Sequence, residues 1–239
     1  MGIKKILLCE GKTFAWREGD LHTNFGLVKG EDIKEGKVKS NKGKEFIVLE
    51  PNFNDLTSFM KRGPQMPLPK DIAIIMYYSS VDKNSIVLDA GSGSGLLTCS
   101  LARIAKKVIS YEVNEKNHKL AKKNVENFGL KNVELKNQDI YQGIDEKDLD
   151  VITLDLPEPW QVLEHAKKAL KLGGTLVTYL PSIKQVDQLV KEAKQNGFLV
   201  SKTLEVLERE WLVKENVVRP CHEMYGHTAF LTFLRKITA

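Results

Sequence analysis

Val87-Leu88-Asp89-Ala90-Gly91-Ser92-Gly93-Ser94-Gly95 is the stretch on which the fold turns. The apolar residues 85–89 read as a short buried strand, and 96–106 read as a helix. Three glycines at alternate positions join them. A doubly wound sheet holds a nucleotide-like ligand at such a strand, glycine turn and helix. Glycine lets the backbone approach the ligand closely, and the helix start offers unpaired N–H groups.

Outward from this loop, strands and helices alternate. Downstream come a strand at 108–112 and a helix capped by Asn114. Ala121, Val125 and Phe128 lie on one face of that helix, and Gly129 stops it. Strands follow at Val133–Lys136 and Leu149–Leu154, then a helix at 160–171 closed by Gly173-Gly174. A strand at 175–180, a helix at 182–195 and two long β-type runs at 199–213 and 228–236 complete the chain. Upstream, a helix at 71–80 follows Pro69. Apolar strands alternating with helices predict a parallel sheet covered on both faces.

Residues 1–62 differ in kind. Lys5–Cys9, 13–17, Gly36–Lys39 and Glu45–Leu49 read as short strands. Gly19-Asp20, Lys29-Gly30 and Asn41-Lys42-Gly43 read as turns. Short strands hide their edges by closing up, so a small β-barrel or curled sheet is expected. The predicted division is 1–62 and 63–239. Lys34, Lys37, Lys39, Lys42 and Lys44 face only Glu35 in their stretch. They form either a solvated hairpin or a patch for a phosphate backbone.

The chain's 239 residues predict one or two domains. Its 36 Lys and Arg against 31 Asp and Glu give a net charge of +5, which excludes a disordered polyelectrolyte and leaves room for a polyanionic partner. No apolar run approaches the roughly 18 residues of a membrane-spanning helix, and the first residues predict no secretory leader. Cys9, Cys99 and Cys221 are scattered and give neither a disulfide framework nor a zinc pair; a reducing cytoplasm is the expected home. His222 and His227 beside Cys221 lack a second cluster, so no metal is expected.

The ligand class follows from details of the loop. Dinucleotide folds use GxGxxG with a pyrophosphate on the helix. Here the spacing is GxGxG, and Asp89 stands two residues before the first glycine. A carboxylate there repels pyrophosphate but suits a cation; S-adenosylmethionine (SAM) carries a sulfonium and an amino group. Glu112 ends the next strand, where an acid grips both ribose hydroxyls. Asp139 follows the third strand, within reach of an adenine amino group. Asp155-Leu156-Pro157-Glu158-Pro159-Trp160 follows the fourth, with two prolines fixing the direction of Asp155. An acceptor there can bind an exocyclic N–H and support positive charge developing on a base.

Several blocks extend this pattern: His22-Thr23 with Gly26, residues 40–49 with Pro51, Met60-Lys61-Arg62-Gly63-Pro64-Gln65, Pro69-Lys70-Asp71, and Arg219-Pro220 with Met224 and Gly226-His227-Thr228-Ala229-Phe230-Leu231. Together with the glycine loop and the Asp155 loop, they make the chain resemble the tRNA (adenine-N1)-methyltransferases over nearly its whole length. Those enzymes modify adenine 58 of the T-loop, and in archaea adenine 57 as well. The resemblance implies an α/β fold, a Rossmann-like class I methyltransferase doubly wound sheet with a small N-terminal β domain that binds tRNA. It also implies SAM as donor and a homotetramer.

Carried over by position, Asp89, Gly91, Gly93, Ser94, Gly95, Leu96, Glu112, Asp139, Ile140 and Asp155 would contact the cofactor, with Asp155 catalytic. Pro157, Pro181, Arg219 and His227 would contact substrate, and Arg219 and the Lys34–Lys44 patch would hold phosphates. Two positions depart from the family pattern. Leu68 stands where an aromatic residue is usual, and Asp89 replaces a longer Glu. Rival readings are a methyltransferase of another substrate class (N6-adenine, protein or small molecule) and a tRNA-binding subunit without catalysis.

Overall fold

The structure is a computed structural model that describes residues 2–61, 63 and 66–238. Arg62, Pro64 and Gln65 of the Met60–Gln65 block therefore lie outside the described residues. The chain forms two compact units, Met1–Arg62 with Lys123–Leu130, and Gly63–Lys122 with Lys131–Ala239. The recruitment of 123–130 to the first unit is invisible to a division by sequence position.

The first unit contains β1 (Lys5–Cys9), β2 (Lys12–Trp16), β3 (Leu21–Thr23), β4 (Gly26–Val28), β5 (Gly36–Lys39), β6 (Glu45–Leu49) and α1 (Phe53–Ser58). Four strands pair in the order β2-β1-β6-β5, and β3 and β4 form a separate ribbon. Leu7, Val28, Phe46 and Val48 are fully buried in its core, ringed by Phe14 and Phe25. The predicted turn at Lys29-Gly30 is instead the start of a 3-10 turn, Gly30–Asp32. The His-Thr-x-x-Gly signature is structural. The Thr23 hydroxyl donates to Gly26 O and accepts from Phe25 N–H, and Ser40 donates to Phe25 O. Gly26 has φ 112°, and a Cβ there would press on Ser40 and Asn41.

The second unit contains α2 (Pro69–Tyr78), β7 (Ile86–Ala90), α3 (Leu96–Ala102), β8 (Lys107–Tyr111), α4 (Glu115–Asn127, whose last turn belongs to the first unit), β9 (Val133–Lys136), β10 (Leu149–Leu154), α5 (Leu163–Ala169), β11 (Leu170–Leu180), α6 (Ile183–Gln195), β12 (Phe198–Leu204), β13 (Trp211–Lys214), β14 (Val217–Pro220) and β15 (Phe230–Lys236). The main sheet has the order β12-β15-β11-β10-β7-β8-β9. From β9 to β11 all pairings are parallel, whereas β15 runs antiparallel to both β11 and β12. The expected all-parallel sheet is thus corrected at one edge. Leu88, Ile109, Ile152 and Leu176 carry the strands' apolar faces into the core.

Gly173-Gly174 lies within β11 rather than closing a helix, because Leu170 already leaves helical backbone with ψ 147°. The run at 199–213 breaks into β12 and β13, separated by residues 205–210, four of which are charged, and β13 pairs with β14 as a hairpin. Asn114 caps α4 as expected, its Oδ1 accepting from the N–H groups of Lys116 and Asn117.

Candidate functional site

The carboxyl ends of the parallel strands bring the glycine loop, Glu112, Asp139 and Asp155 around one cavity of about 250 Å³, with Gly91, Gly93, Ile140 and Tyr141 in its wall. Glycine is obligatory at position 91. Its φ is 85°, and a Cβ would collide with the carbonyl oxygen of Asp155. Glu112 shapes the loop by accepting from the N–H groups of Gly93 (2.9 Å) and Asn114 (2.8 Å). A carboxylate has about four acceptor directions, so Glu112 keeps capacity for two ligand hydroxyls. Asp139 caps a 3-10 turn through Tyr141 N–H, and its second oxygen accepts a long bond, 3.4 Å, from Gln142.

Beside this cavity is another, of about 330 Å³, lined by Met66, Leu68, Tyr179, Pro181, Tyr225, His227 and Thr228. Asp155 lines both. Its backbone N–H is tied to Ala90 O at 2.9 Å, which fixes the backbone of Asp155 at the junction. Burial, and then the charges of Asp89 and Glu112, push its carboxyl up to about 7, and no hydrogen bond among the described residues counters them. An acceptor so raised is starved of donors and cations and gains from any ligand that supplies them.

Not every expected residue reaches a cavity. Asp89 is buried behind the loop, where its oxygens accept from Thr98 (2.6 Å) and Thr153 (2.7 Å). Asp89 thus ties β7 to α3 and β10 and does not line the cavity. Gly95 packs on Ala121, Leu96 is buried at the start of α3, and Ser94 Oγ donates to Met66 Sδ at 3.0 Å. These three support the loop rather than line the cavity. Pro157 gives its carbonyl to Gln185 at 2.8 Å and lines neither cavity. Arg219 lies on β14 with its guanidinium on Pro220 O at 3.2 Å, also apart from both. Pro181 and His227 do line the second cavity.

A buried network that sequence reasoning misses also belongs to the site. Lys70 Nζ lies 2.7 Å from Asp71 Oδ1 and 2.7 Å from Thr228 Oγ1. Thr228 donates to Asp71 at 2.9 Å, and the Tyr179 hydroxyl points to the same oxygen at 3.3 Å. Lys70 and Asp71 are adjacent in the chain, whereas Thr228 arrives from just before β15 and Tyr179 from β11. The only sequence signal is that Pro69-Lys70-Asp71 and Gly226-His227-Thr228 both belong to family blocks.

In the first unit, Lys37 pairs with Glu45 and Lys44 with Glu10. Lys34, Lys39 and Lys42 have no ion-pair partner among the described residues, so the basic stretch is narrower than its sequence suggests. Among the described residues no group of His, Cys, Asp and Glu is arranged to hold a metal ion, and no helix is long and apolar enough to cross a membrane. A larger hollow of about 620 Å³, lined among others by Asp150, Lys171 and Arg235, opens at the opposite strand ends. It holds none of the sequence-derived site residues.

Comparison with known proteins gives concordant results. Residues 47–218 match the family model described as the tRNA methyltransferase complex GCD14 subunit. The tRNA (adenine(57)-N(1)/adenine(58)-N(1))-methyltransferase TrmI of Methanocaldococcus jannaschii is 41% identical, over 89% of this chain and 86% of its own length. The tRNA (adenine(58)-N(1))-methyltransferase TrmI of Thermus thermophilus is 37% identical, over 91% and 89%. Among solved structures, a SAM-dependent O-methyltransferase from Thermotoga maritima superposes with TM-score 0.88 at 32% identity, covering 100% of this chain and 94% of that one. The tRNA (m1A58) methyltransferase TrmI of Aquifex aeolicus superposes with TM-score 0.82 at 27% identity, covering both chains fully. The doubly wound sheet is therefore that of the class I methyltransferases.

Proposed function

We propose that this chain, which belongs to the family of the tRNA methyltransferase complex GCD14 subunit, is a tRNA (adenine-N1)-methyltransferase acting on T-loop adenine 58, with SAM as donor. The observation that carries the reading is the single carboxylate, Asp155, standing in the wall common to two cavities. One cavity has the acids and glycines that suit a cationic, ribose-bearing cofactor. The other has the rings and small polar groups that suit a base.

The residues present fit SAM: three carboxylates of one sign surround the first cavity, Glu112 has acceptor capacity for the ribose hydroxyls, and Gly91 and Gly93 leave the backbone open. When bound, SAM supplies an electrophilic methyl group on a positively charged sulfur. The target adenine is turned out of the tRNA into the second cavity, between Leu68, Tyr179 and Pro181. Asp155 accepts the N6 amino group and so orients N1. As N1 takes the methyl, positive charge moves onto the ring, and the same carboxylate stabilises it in a site with little water. Much of the barrier is met by placement, since in-line attack tolerates little misalignment. Leu68 replaces the aromatic wall usual at its position, so Tyr179, held by Asp71, and Tyr225 supply the phenol rings beside the base in this reading.

The first unit, with Lys34, Lys39 and Lys42, binds the tRNA backbone, aided by Arg219. The assembly is a homotetramer, a reading supported by the exposed apolar residues Trp211, Val213 and Val218 of the β13–β14 hairpin. The setting is the cytoplasm, where tRNA meets a milieu that keeps the three free cysteines reduced. Incubation with unmodified tRNA and labelled SAM, followed by nucleoside analysis, tests the activity: label should appear in 1-methyladenosine. The Thermotoga neighbour raises a second reading, methylation of an oxygen. Label in an O-methylated product, with none on adenine, would favour it.

A further inference from the structure

We propose that His227 is a positioning residue for the tRNA side of the reaction: bonded through both ring nitrogens, it pins the ends of two strands and so holds Pro181 in the wall of the substrate cavity. The inference rests on the functional reading above for the identity of that substrate.

Nδ1 lies 2.9 Å from Glu205 Oε2, and Nε2 lies 2.9 Å from the carbonyl oxygen of Pro181. A carbonyl oxygen and an ionised carboxylate only accept hydrogen bonds. Both nitrogens must therefore carry protons for both bonds to exist, which makes the ring an imidazolium. The strand order explains why this position is decisive. β15 lies between β11 and β12 and runs antiparallel to each, with Phe230 opposite Leu180 and Leu231 opposite Leu204. Pro181 and Glu205 are the first residues past the ends of those neighbours. His227, just before β15, bridges them where the backbone ladders stop. Its ring also lies against Phe230, with centroids 4.8 Å apart.

The charged groups facing the ring are Glu205, beyond β12, and Lys70, on α2. The bonds to Pro181 and Glu205 raise the proton affinity of His227 above that of an ordinary histidine, while Lys70 opposes this. Loss of one ring proton to solvent leaves a lone pair facing one acceptor, and that tether is lost. His227 and Pro181 line the substrate cavity and not the cofactor cavity. The effect therefore falls on tRNA recognition and leaves the grip on SAM intact.

The test compares wild type, Glu205→Gln and His227→Ala across pH, reading the KM for tRNA, kcat and the equilibrium affinity for SAM. For wild type, the tRNA KM should rise on the alkaline side. Glu205→Gln can still accept from Nδ1 but lacks the charge, so the rise should move to lower pH. His227→Ala should raise the KM at every pH, on the order of tenfold, and abolish the alkaline rise, with SAM affinity unchanged throughout. A Glu205→Gln profile that coincides with wild type, or a SAM affinity that changes in step with KM, overturns the proposal. Imidazole nitrogen NMR on the intact chain judges the clamp without tRNA. A ring that titrates above an ordinary histidine, with both nitrogens protonated below that point and titrating lower in Glu205→Gln, supports it, and a ring that titrates no higher than a free histidine overturns it. If wild type fails to methylate any tRNA, the functional reading falls, while the NMR titration still decides whether the clamp exists.

Discussion

The two cavities that meet at Asp155 are assembled in different ways. The cofactor side is built from strand ends that follow one another in the sequence: Gly91 after β7, Glu112 after β8, Asp139 after β9 and Asp155 after β10. Each parallel strand delivers one residue to the same edge, and acids dominate. The substrate side is built from three distant segments, around residues 66–71, 179–181 and 225–228, drawn together by the antiparallel insertion of β15. It is held by a buried ion pair, Lys70 with Asp71, and by His227, rather than by successive turns. One side is thus set by local motif and the other by long-range hydrogen bonding. Perturbations should separate them.

The largest separable effect is expected at Lys70. Lys70→Ala would leave Asp71 charged and buried, a defect that costs about 3–5 kcal/mol. Denaturant unfolding should show that loss, and in the surviving folded protein the tRNA KM should rise while SAM affinity holds. Equal damage to both affinities would mean that the two sides are one unit after all.

Asp155→Asn sharpens the comparison through stability. The folded-state carboxyl titrates at about 7 against 3.8 for an ordinary aspartate, so folding favours its protonated form. That group's contribution is therefore harmless at pH below about 4, becomes steadily more destabilising as pH rises from about 4 to about 7, and stays at that level above. At pH 8 the Asp155→Asn variant should be more stable than wild type by about 2–4 kcal/mol, with the advantage vanishing at low pH. A cation in the cofactor cavity should also pull the wild-type proton off. SAM binding near pH 7 should then release protons, seen as buffer-dependent heats in calorimetry, and the Asp155→Asn substitution should abolish that release.

Glu112→Gln should weaken SAM binding by about 1.5–3 kcal/mol, the worth of a hydrogen bond to a charged group, and leave tRNA binding in place. The smallest effect is expected in the first unit. Replacing Lys34, Lys39 and Lys42 together by Gln should lower tRNA affinity and flatten its dependence on salt, without altering the methylated position. An unchanged salt slope would remove this stretch from the tRNA-binding surface.

The same contrast explains what the sequence discloses. The strands and the cofactor side are legible because Val87–Gly95 carries its own geometry and each later acid stands at a strand end. The strands Lys5–Cys9, Val133–Lys136 and Leu149–Leu154 fall where their apolar runs predict. The turn of Asp89 toward Thr98 and Thr153 is not legible, since strand alternation does not tell whether a residue near the end of a strand faces the cavity or the packing behind it. The break of 199–213 into two strands is hidden because no Gly, Pro or Asn punctuates the run, although Glu208-Arg209-Glu210 interrupts its alternation. The pairings of the Lys70–Asp71–Thr228–Tyr179 network cannot be read, although two of its segments stand out as family blocks. Asp71 and Thr228 are 157 positions apart, and the pairing of β15 with β11 brings Thr228 and Tyr179 to the same place.

The most direct test of the account is paired measurement of SAM affinity and methyl transfer to unmodified tRNA by Asp155→Ala. Turnover should fall on the order of 10²–10³-fold with SAM still bound. Turnover near that of wild type, or loss of SAM binding as the sole defect, would contradict it.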